Sequence, residues 1–427
     1  MTEGKINMDN NFNKSKSQKK IVVAMDSFKG SLTSLEAGNA VRDGILERYP
    51  DVDVQIFPVA DGGEGTVEAL TFGKEHVQTR TIPVTGPVGT EVSARYTIYG
   101  QAGGNTAVLE MAQAAGLPLV PEEKRNPMHT TTYGVGEMIR DAITCGCRKF
   151  ILGIGGSATN DAGIGMLQAL GFHFLDAIGR EVGYGAEGLA QVRTITTEDV
   201  LPELASCTFQ IACDVTNPLV GAQGCSAVFA PQKGADAKMV QAMDAAMNRY
   251  ADIVEDMYRE NSALMENQLT GYDEADRNVE KTDMQSHDKN RMTPGSGAAG
   301  GLGYACLMFL HAALKPGIDI VLDEIQIAQA IKTADAVITG EGRFDAQTLM
   351  GKTPIGVARI AKSYEVPVYA FAGCFGSDVQ VCIDSGVFAG CYAASAAGTE
   401  EEKRLAMEKK QAYANLRNCV RNNLTGL

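Results

Sequence analysis

An apolar strand, a glycine-rich polar loop and a helix follow one another repeatedly in this chain, and this order leaves few folds open to it. The apolar run 21–25 precedes D-S-F-K-G-S and a helix that Thr33 or Ser34 can cap, and the run 54–59 precedes A-D-G-G-E-G-T and another helix. The same order returns after Ala334. The alternation predicts an α/β fold, in which ligands bind at the carboxyl ends of the strands.

The middle of the chain has a different pattern. Alternating segments between residues 77 and 104 predict β-hairpins, and helices are expected at 107–115 and 134–145. Two buried strands, F-I-L-G-I and F-Q-I-A-C, follow, and each opens into a polar loop. A single amphipathic helix is expected over residues 400–423. The pattern therefore indicates a mixed α/β region between two α/β segments.

A chain of 427 residues exceeds the usual size of one domain. We predict one discontinuous α/β domain, formed by residues 21–76 plus 295–427, and a mixed α/β domain inserted at residues 77–294. Residues 1–20 and 265–291 are polar and lack apolar periodicity. They are expected to form a disordered N-terminal extension and a long exposed loop.

Charge and composition exclude several classes of function. The net charge is −14 and no long basic block occurs, so a nucleic-acid surface is disfavoured. No apolar run approaches the roughly 18 residues that a membrane-spanning helix needs. The ten cysteines lack C-x-x-C spacing and are expected to be free thiols in a reducing compartment. These observations predict a cytoplasmic protein that binds small molecules.

Five loops share glycines, a carboxylate and a small hydroxyl or amide side chain. They are D-S-F-K-G-S from Asp26, D-G-G-E-G-T from Asp61, G-G-S-A-T-N-D from Gly155, D-V-T-N-P from Asp214 and G-E-G-R-F-D from Gly340. Each loop alone is typical of a tight turn. Together they fit phosphoryl transfer, because glycine amides can bind phosphate and carboxylates can hold Mg²⁺ or accept a proton.

One motif resembles a phosphate-binding loop but lacks a required glycine. The sequence G-K-T at Gly351 resembles the end of the phosphate-binding loop of many nucleotide hydrolases. That loop requires a glycine five positions earlier, where this chain has Ala346. If the protein binds phosphate, it does so with a different loop.

Taken in order, the motifs resemble those of the glycerate kinase type 1 family. Besides the five loops, the resemblance rests on T-T-Y-G-V-G-E, F-A-P-Q-K-G-A and P-G-S-G-A-A-G-G-L-G, and it runs from about residue 21 to residue 390. It implies ATP-dependent phosphorylation of D-glycerate with Mg²⁺, to 2-phosphoglycerate or 3-phosphoglycerate. It also implies two unlike α/β domains, of which the discontinuous one is Rossmann/flavodoxin-like. The extension 1–20 and the long loop 265–291 depart from the family pattern.

The loop chemistry then suggests a role for each candidate residue. We expect Asp161 or Asp214 to accept the hydroxyl proton, while the other orients Mg²⁺ or water, and Lys29 to neutralise charge. The expected phosphate-binding residues of ATP are Gly155, Gly156, Ser157, Thr159, Asn160 and Lys352. The expected substrate-binding residues are Asp26, Ser27, Gly62, Gly63 and Arg343. The expected metal ligands are Asp61 and Asp345.

Other interpretations remain open from the sequence. Arg343 lies between acidic residues and can form a structural ion pair instead of a clamp on the substrate carboxylate. The substrate can be another small hydroxy acid, or the protein can be a non-catalytic nucleotide or sugar-acid binder. The several carboxylates beside the glycines disfavour a binder. A monomer and a homodimer are both compatible with the sequence.

Overall fold

The computed structural model describes residues 18–63, 65–101, 104–260, 290–349, 351–395 and 400–425. The predicted N-terminal extension lies outside the described residues up to position 17, whereas Lys20 already belongs to the first strand. The predicted loop 265–291 also lies outside them, except for its last two residues.

The described elements alternate between strands and helices for most of the chain. Numbered in order, the strands are β1 (Lys20–Met25), β2 (Asp53–Pro58), β3 (Gln78–Thr85), β4 (Glu91–Gln101), β5 (Gly104–Glu110), β6 (Cys147–Gly153), β7 (His173–Leu175), β8 (Thr194–Thr196), β9 (Thr208–Ala212), β10 (Ala313–Lys315), β11 (Ala336–Gly340), β12 (Arg343–Phe344), β13 (Val368–Ala372), β14 (Cys374–Phe375) and β15 (Gly390–Ala393). The helices are α1 (Ser34–Arg48), α2 (Thr66–Thr71), α3 (Ala112–Ala115), α4 (Tyr133–Thr144), α5 (Ile164–Ala169), α6 (Gly185–Gln191), α7 (Cys225–Phe229), α8 (Ala237–Glu260), α9 (Ala298–Phe309), α10 (Gly317–Glu324), α11 (Ile327–Ile331), α12 (Thr353–Ser363), α13 (Gln380–Asp384), α14 (Glu400–Met407) and α15 (Lys409–Asn423).

The chain divides into two compact units. Unit 1 consists of Met1–Phe57, Ile327–Ala346 and Val357–Leu427, and unit 2 of Pro58–Gln326 and Gln347–Gly356. The two main boundaries predicted from the sequence lie after residues 76 and 294 instead. Residues 58–76 and 295–326 belong to unit 2 because α2 packs against α10 and β10 extends the sheet of that unit beside β9.

Unit 1 contains a five-stranded sheet in the order β15-β13-β11-β1-β2. The pairs β1–β11, β11–β13 and β13–β15 are parallel. Counted along the chain, this order is 2-1-3-4-5, which is the strand order of flavodoxin-like sheets. The α/β fold expected from the sequence is therefore present.

Helix α1 begins where the sequence predicts. Thr33 caps it, since its hydroxyl accepts a 3.3 Å bond from Glu36 N while Thr33 N donates to the Glu36 carboxylate at 3.1 Å. Gly44 lets α15 approach closely, because a Cβ there would lie 2.4 Å from Arg417 O. The predicted single C-terminal helix is two helices, α14 and α15, which meet at the extended residue Glu408.

Unit 2 contains a six-stranded sheet in the order β10-β9-β6-β5-β4-β3. The pairs β3–β4 and β4–β5 are antiparallel, whereas the pairs β5–β6, β6–β9 and β9–β10 are parallel. The predicted helix at 107–115 is confirmed only at its end, where residues 112–115 form α3, and it is wrong for residues 107–110, which belong to β5 in the middle of the sheet. Burial between β4 and β6 overrides the helical preference of this alanine- and leucine-containing run.

All ten cysteines are free thiols, as expected from their spacing. Among the described residues, no helix has both the length and the apolar character needed to cross a membrane.

Candidate active site

The order of strands in unit 1 reverses direction between β1 and β11, and open α/β sheets bind ligands beyond the carboxyl ends of strands at such a position. The loop after β1 begins at Asp26 and the loop after β11 at Glu341. They lie side by side, since Asp26 N donates a 2.9 Å hydrogen bond to Gly340 O. Gly342 permits this approach, because a Cβ there would lie 3.3 Å from Phe28 Cα. Two of the predicted site loops are thus brought together.

The residues after β1 include an unsatisfied hydroxyl. Asp26 is 8% exposed, and its Oδ1 accepts a 2.6 Å hydrogen bond from Ser27 N. Ser27 Oγ is shielded from solvent and has no hydrogen-bond partner among the described residues. A buried hydroxyl without a partner is unfavourable unless a ligand or water completes it. Lys29, in the same loop, is exposed.

After β11, two residues predicted to bind different ligands contact each other instead. Arg343 Nε lies 3.5 Å from Asp345 Oδ2, with the arginine side chain 63% exposed. This is the ion pair that the sequence left open for Arg343. The roles of Arg343 in binding substrate and of Asp345 in binding metal stay predictions, with the two side chains paired in this structure.

Unit 2 gathers a second set of loops at the carboxyl edge of its sheet. The parallel strands β6, β9 and β10 end there and lead to Gly155, Asp214 and Gly317 respectively. The loop that follows Asp61 also reaches this edge, since a Cβ on Gly62 would lie 3.1 Å from Gly317 Cα and 3.6 Å from Asp214 Oδ2. The predicted loops at Asp61 and Asp214 therefore meet, and the predicted loop at Gly155 follows a strand that ends at the same edge.

Asp214 is the carboxylate at the centre of this edge. Gly317 N donates a 3.0 Å hydrogen bond to its Oδ1. Desolvation by the surrounding protein raises the pKa of Asp214, the nearby carboxylates of Asp61 and Asp319 raise it further, and the Gly317 amide opposes them. A raised pKa makes this carboxylate a stronger proton acceptor than an ordinary aspartate.

Gly317 and Asp319 were not identified from the sequence. Gly317 cannot carry a side chain, because a Cβ there would lie 2.3 Å from Asp61 O. The strand that precedes these residues, β10, has three residues and gives little periodic signal. The sequence K-P-G-I-D after it was the available sign, since it repeats the pattern of a strand end, a glycine and a carboxylate.

The glycine-rich loop after β6 presents amide groups. Gly156 adopts a left-handed backbone with φ of 73°, and both Gly155 and Gly156 are exposed. Within the described part of the chain, the N–H groups of Gly155, Gly156 and Ser157 donate to no acceptor, whereas Ala158 N donates to Ala115 O at 2.9 Å. Successive unpaired amides in a turn form a concave anion-binding nest. The predicted phosphate-binding loop thus has the required donors.

A buried lysine lies beneath this loop. Lys233 is 2% exposed, and its Nζ donates to Ser157 Oγ at 2.7 Å and to Thr159 O at 2.6 Å. Burial lowers the pKa of Lys233 to about 8. Lys233 lies in the motif F-A-P-Q-K-G-A, and no role was predicted for it from the sequence. This motif could have identified the residue, because Lys233 precedes a glycine in the same way as Lys29, which was predicted to neutralise phosphate charge.

Asp161 occupies a different environment from Asp214. It is fully buried, and Thr132 donates to its Oδ2 from both the backbone N at 2.9 Å and the hydroxyl at 2.8 Å. Gly163 N donates to Oδ1 at 3.1 Å. Burial raises the pKa of Asp161 while these donors oppose the shift. Both oxygens are engaged by protein donors, so Asp161 fixes the shape of the loop.

The remaining predicted phosphate-binding residues lie at varied depths. Thr159 and Asn160 are fully buried, and Asn160 Nδ2 donates to Ser226 Oγ at 2.9 Å. The Thr159 hydroxyl and the Asn160 carbonyl oxygen are shielded from solvent and have no hydrogen-bond partner among the described residues, so their phosphate-binding role stays a prediction. Lys352 is half-buried immediately before Thr353, the first residue of α12, and Gly63 is exposed beside Asp61.

Mg²⁺ binds through oxygen ligands, so the carboxylates at this edge are its candidate ligands. Among the described residues, no three histidine, cysteine or acidic side chains are arranged to hold a metal ion. Mg²⁺ in phosphoryl-transfer sites is usually bound by one or two carboxylates together with substrate phosphates and water. Asp61, half-buried and close to Asp214 at the same edge, fits that limited requirement.

Comparison with known proteins relates this chain to a family of kinases. The sequence model of the glycerate kinase family matches residues 21–425. The chain is 46% identical over 370 residues to a glycerate kinase of Haemophilus influenzae, which covers 86% of this chain and 89% of that protein. It is 42% identical over 403 residues to the glycerate 2-kinase of Escherichia coli, which covers 94% and 96% respectively.

A solved structure has the same fold. It is the crystal structure of a Salmonella typhimurium LT2 protein provisionally called glycerate kinase 2. The TM-score is 0.79 at 40% identity, and the match covers 95% of this chain and 97% of that chain.

Proposed function

Because this chain belongs to the glycerate kinase family and is a kinase, we propose that it transfers a phosphoryl group from ATP to D-glycerate to give 2-phosphoglycerate. The observation that carries this proposal is the edge of the unit 2 sheet. An amide nest at Gly155–Ser157 and the carboxylate of Asp214 follow the adjacent strands β6 and β9. Phosphoryl transfer needs such a phosphate cradle and a proton acceptor.

We assign Asp214 as the general base. Its Oδ1 is oriented by Gly317 N, and its raised pKa matches the task of accepting a proton from an alcohol. Asp161, the alternative, has both oxygens engaged by Thr132 and Gly163 inside the protein. We assign it to holding the nest in shape.

We assign the ATP phosphates to the amides of Gly155, Gly156 and Ser157. Lys29 and Lys352 remain the predicted neutralising cations. Asp61 would hold Mg²⁺ together with phosphate oxygens, and the bound ion would neutralise charge on the transferring phosphoryl group.

Glycerate presents a carboxylate and two hydroxyls, so it needs donors as well as a base. In unit 1, Ser27 offers an unsatisfied hydroxyl, and the Asp26 carboxylate can accept a hydrogen bond from a substrate hydroxyl. Arg343 can bind the carboxylate if it leaves Asp345. In unit 2, the backbone of Gly62 and Gly63 lies beside Asp214.

The 2-hydroxyl is preferred over the 3-hydroxyl because the Escherichia coli relative is named glycerate 2-kinase. Another small hydroxy acid remains the second candidate as substrate. The raised pKa of Asp214 argues against a non-catalytic binder, since binding alone does not require a proton acceptor. A cytoplasmic monomer or homodimer stays a prediction.

The test is ADP release from Mg-ATP by the purified protein with D-glycerate, compared with L-glycerate, glycolate and D-lactate. We expect D-glycerate to give the highest kcat/KM. In the Arg343→Ala variant the KM for glycerate should rise while the KM for ATP stays unchanged. A higher kcat/KM for another acid would replace glycerate as the proposed substrate.

A further inference from the structure

Lys233 is held in place by the backbone around it. Residues Pro231–Lys233 form a short 3-10 turn, and Lys233 N donates to Ala230 O at 2.9 Å. The turn ends at Gly234, whose φ of 99° and lack of a side chain allow a close approach to Arg125 O, 2.2 Å from where a Cβ would lie. The lysine side chain therefore enters the interior of unit 2 from a fixed point.

The contact with Ser157 decides where the serine proton points. An ammonium group has three donors and no acceptor, so Ser157 Oγ must accept the 2.7 Å hydrogen bond from Lys233 Nζ. The serine hydroxyl proton must then point away from the lysine. Ser157 also belongs to the amide nest, and its residue retains 8% exposure. Its hydroxyl is thus available as a donor to an anion on the nest.

We propose that Lys233 is a positioning residue for the ATP phosphates, which makes Ser157 a hydroxyl donor and supplies positive charge beneath the Gly155–Ser157 nest. The proposal rests on the proposed binding of the ATP phosphates to this loop. It adds a role for Lys233, which is buried beneath the loop. Lys233 acts through Ser157 and through its charge.

The surroundings of the ammonium group make this arrangement sensitive to pH. Burial lowers the pKa of Lys233 to about 8, while negative charge on Cys225 or Asp161 would oppose the shift. Burial raises the pKa of Cys225 to about 11, so this thiol stays protonated near pH 8. Above pH 8 the neutral amine can accept a proton from Ser157. Both the charge and the imposed direction of the hydroxyl are then lost.

The experiment measures binding of Mg-ATP by calorimetry at about one pH unit below and above the pKa of Lys233, a range in which the phosphate groups of ATP stay ionised. We expect the Kd of the unaltered protein to rise on the order of tenfold between the two values, as expected for a lost charge-assisted contact. In Lys233→Met, the Kd should be high at both. Lys149→Met removes the same charge from an exposed position in unit 2 and should behave as the unaltered protein.

Ser157→Ala provides a second variant with little risk to folding, because it removes a single oxygen. We expect it to weaken ATP binding at the lower pH with the KM for glycerate unchanged. Thermal unfolding of each variant identifies any loss caused by misfolding.

The outcomes separate this proposal from the proposed function. Binding of ATP that weakens at high pH only when Lys233 is present supports the proposal even if glycerate is not phosphorylated. A folded Lys233→Met variant with unaltered Kd and the same pH dependence would overturn it. So would unchanged ATP binding by Ser157→Ala, or the absence of ATP binding by the unaltered protein.

Discussion

The amide N–H of Gly317 donates a 3.0 Å hydrogen bond to Oδ1 of Asp214, and this bond fixes the carboxylate at the end of β9. The second oxygen, Oδ2, lies 3.6 Å from the position that a Cβ on Gly62 would occupy. One oxygen is thus oriented by the protein, while the other faces a loop that carries no side chain at Gly62. This arrangement suits a carboxylate that receives a proton from a small substrate.

Replacing Asp214 with asparagine removes the proton acceptor and keeps the shape of the side chain. We expect kcat to fall on the order of a hundredfold or more, with little change in KM or in thermal stability. Steady-state kinetics with saturating Mg-ATP provide the measurement. A folded variant with undiminished kcat would exclude Asp214 as the base.

The charge of Asp319 should influence the pH below which kcat falls, because it raises the pKa of Asp214. Asp214 must be deprotonated to accept a proton, so kcat falls as the pH drops through its raised pKa. Removing the negative charge in Asp319→Asn lowers that pKa, and activity should therefore persist to a lower pH. Asp323→Asn, at an exposed position of the same helix, is the control. Identical pH profiles for both variants would contradict this coupling.

Asp161 should behave as a structural residue. In Asp161→Asn, an amide NH₂ group must replace one oxygen that now accepts from Thr132 or Gly163. We expect the free energy of unfolding to fall by about 1–3 kcal/mol, as for a buried donor left unsatisfied. Denaturant unfolding and kcat are measured together. Unchanged stability with a kcat reduced as strongly as in Asp214→Asn would instead identify Asp161 as the base.

Gly155 and Gly317 differ in what a side chain would meet: open space at Gly155 and protein backbone at Gly317. A Cβ on Gly155 would meet no protein atom within 4 Å, so Gly155→Ala should keep its thermal stability while its KM for ATP rises. A Cβ on Gly317 would collide with Asp61 O, and Gly317→Ala should lose about 1–3 kcal/mol of stability. Unaltered KM for ATP in Gly155→Ala would argue against the phosphate nest.

Local signals in the sequence predicted much of unit 1. The capping residue Thr33, the apolar runs of β1 and β11 and the loops after them are readable because each depends on neighbouring residues. Their closeness follows from the parallel pairing of β1 with β11. The strand 104–110 was missed because its place between β4 and β6, and not its own composition, makes it extended.

The site in unit 2 shows the limit of such reasoning. The glycines and Asp214 were recognised from motifs, but the choice between Asp214 and Asp161 depends on burial, which the sequence does not give. Lys233 reaches Ser157 across a separation of 76 residues, and Gly317 reaches Asp214 across 103. Contacts over such distances along the chain are set by the folded sheet.

The most direct test of the account is the identity of the phosphorylated hydroxyl. Purified protein is incubated with Mg-ATP and D-glycerate, and the product is coupled to enolase with and without phosphoglycerate mutase. The account predicts an enolase signal without the mutase, because 2-phosphoglycerate is formed directly. A signal only with the mutase would show that the 3-hydroxyl reacts, and no ADP release from folded protein would contradict the proposed kinase activity on glycerate.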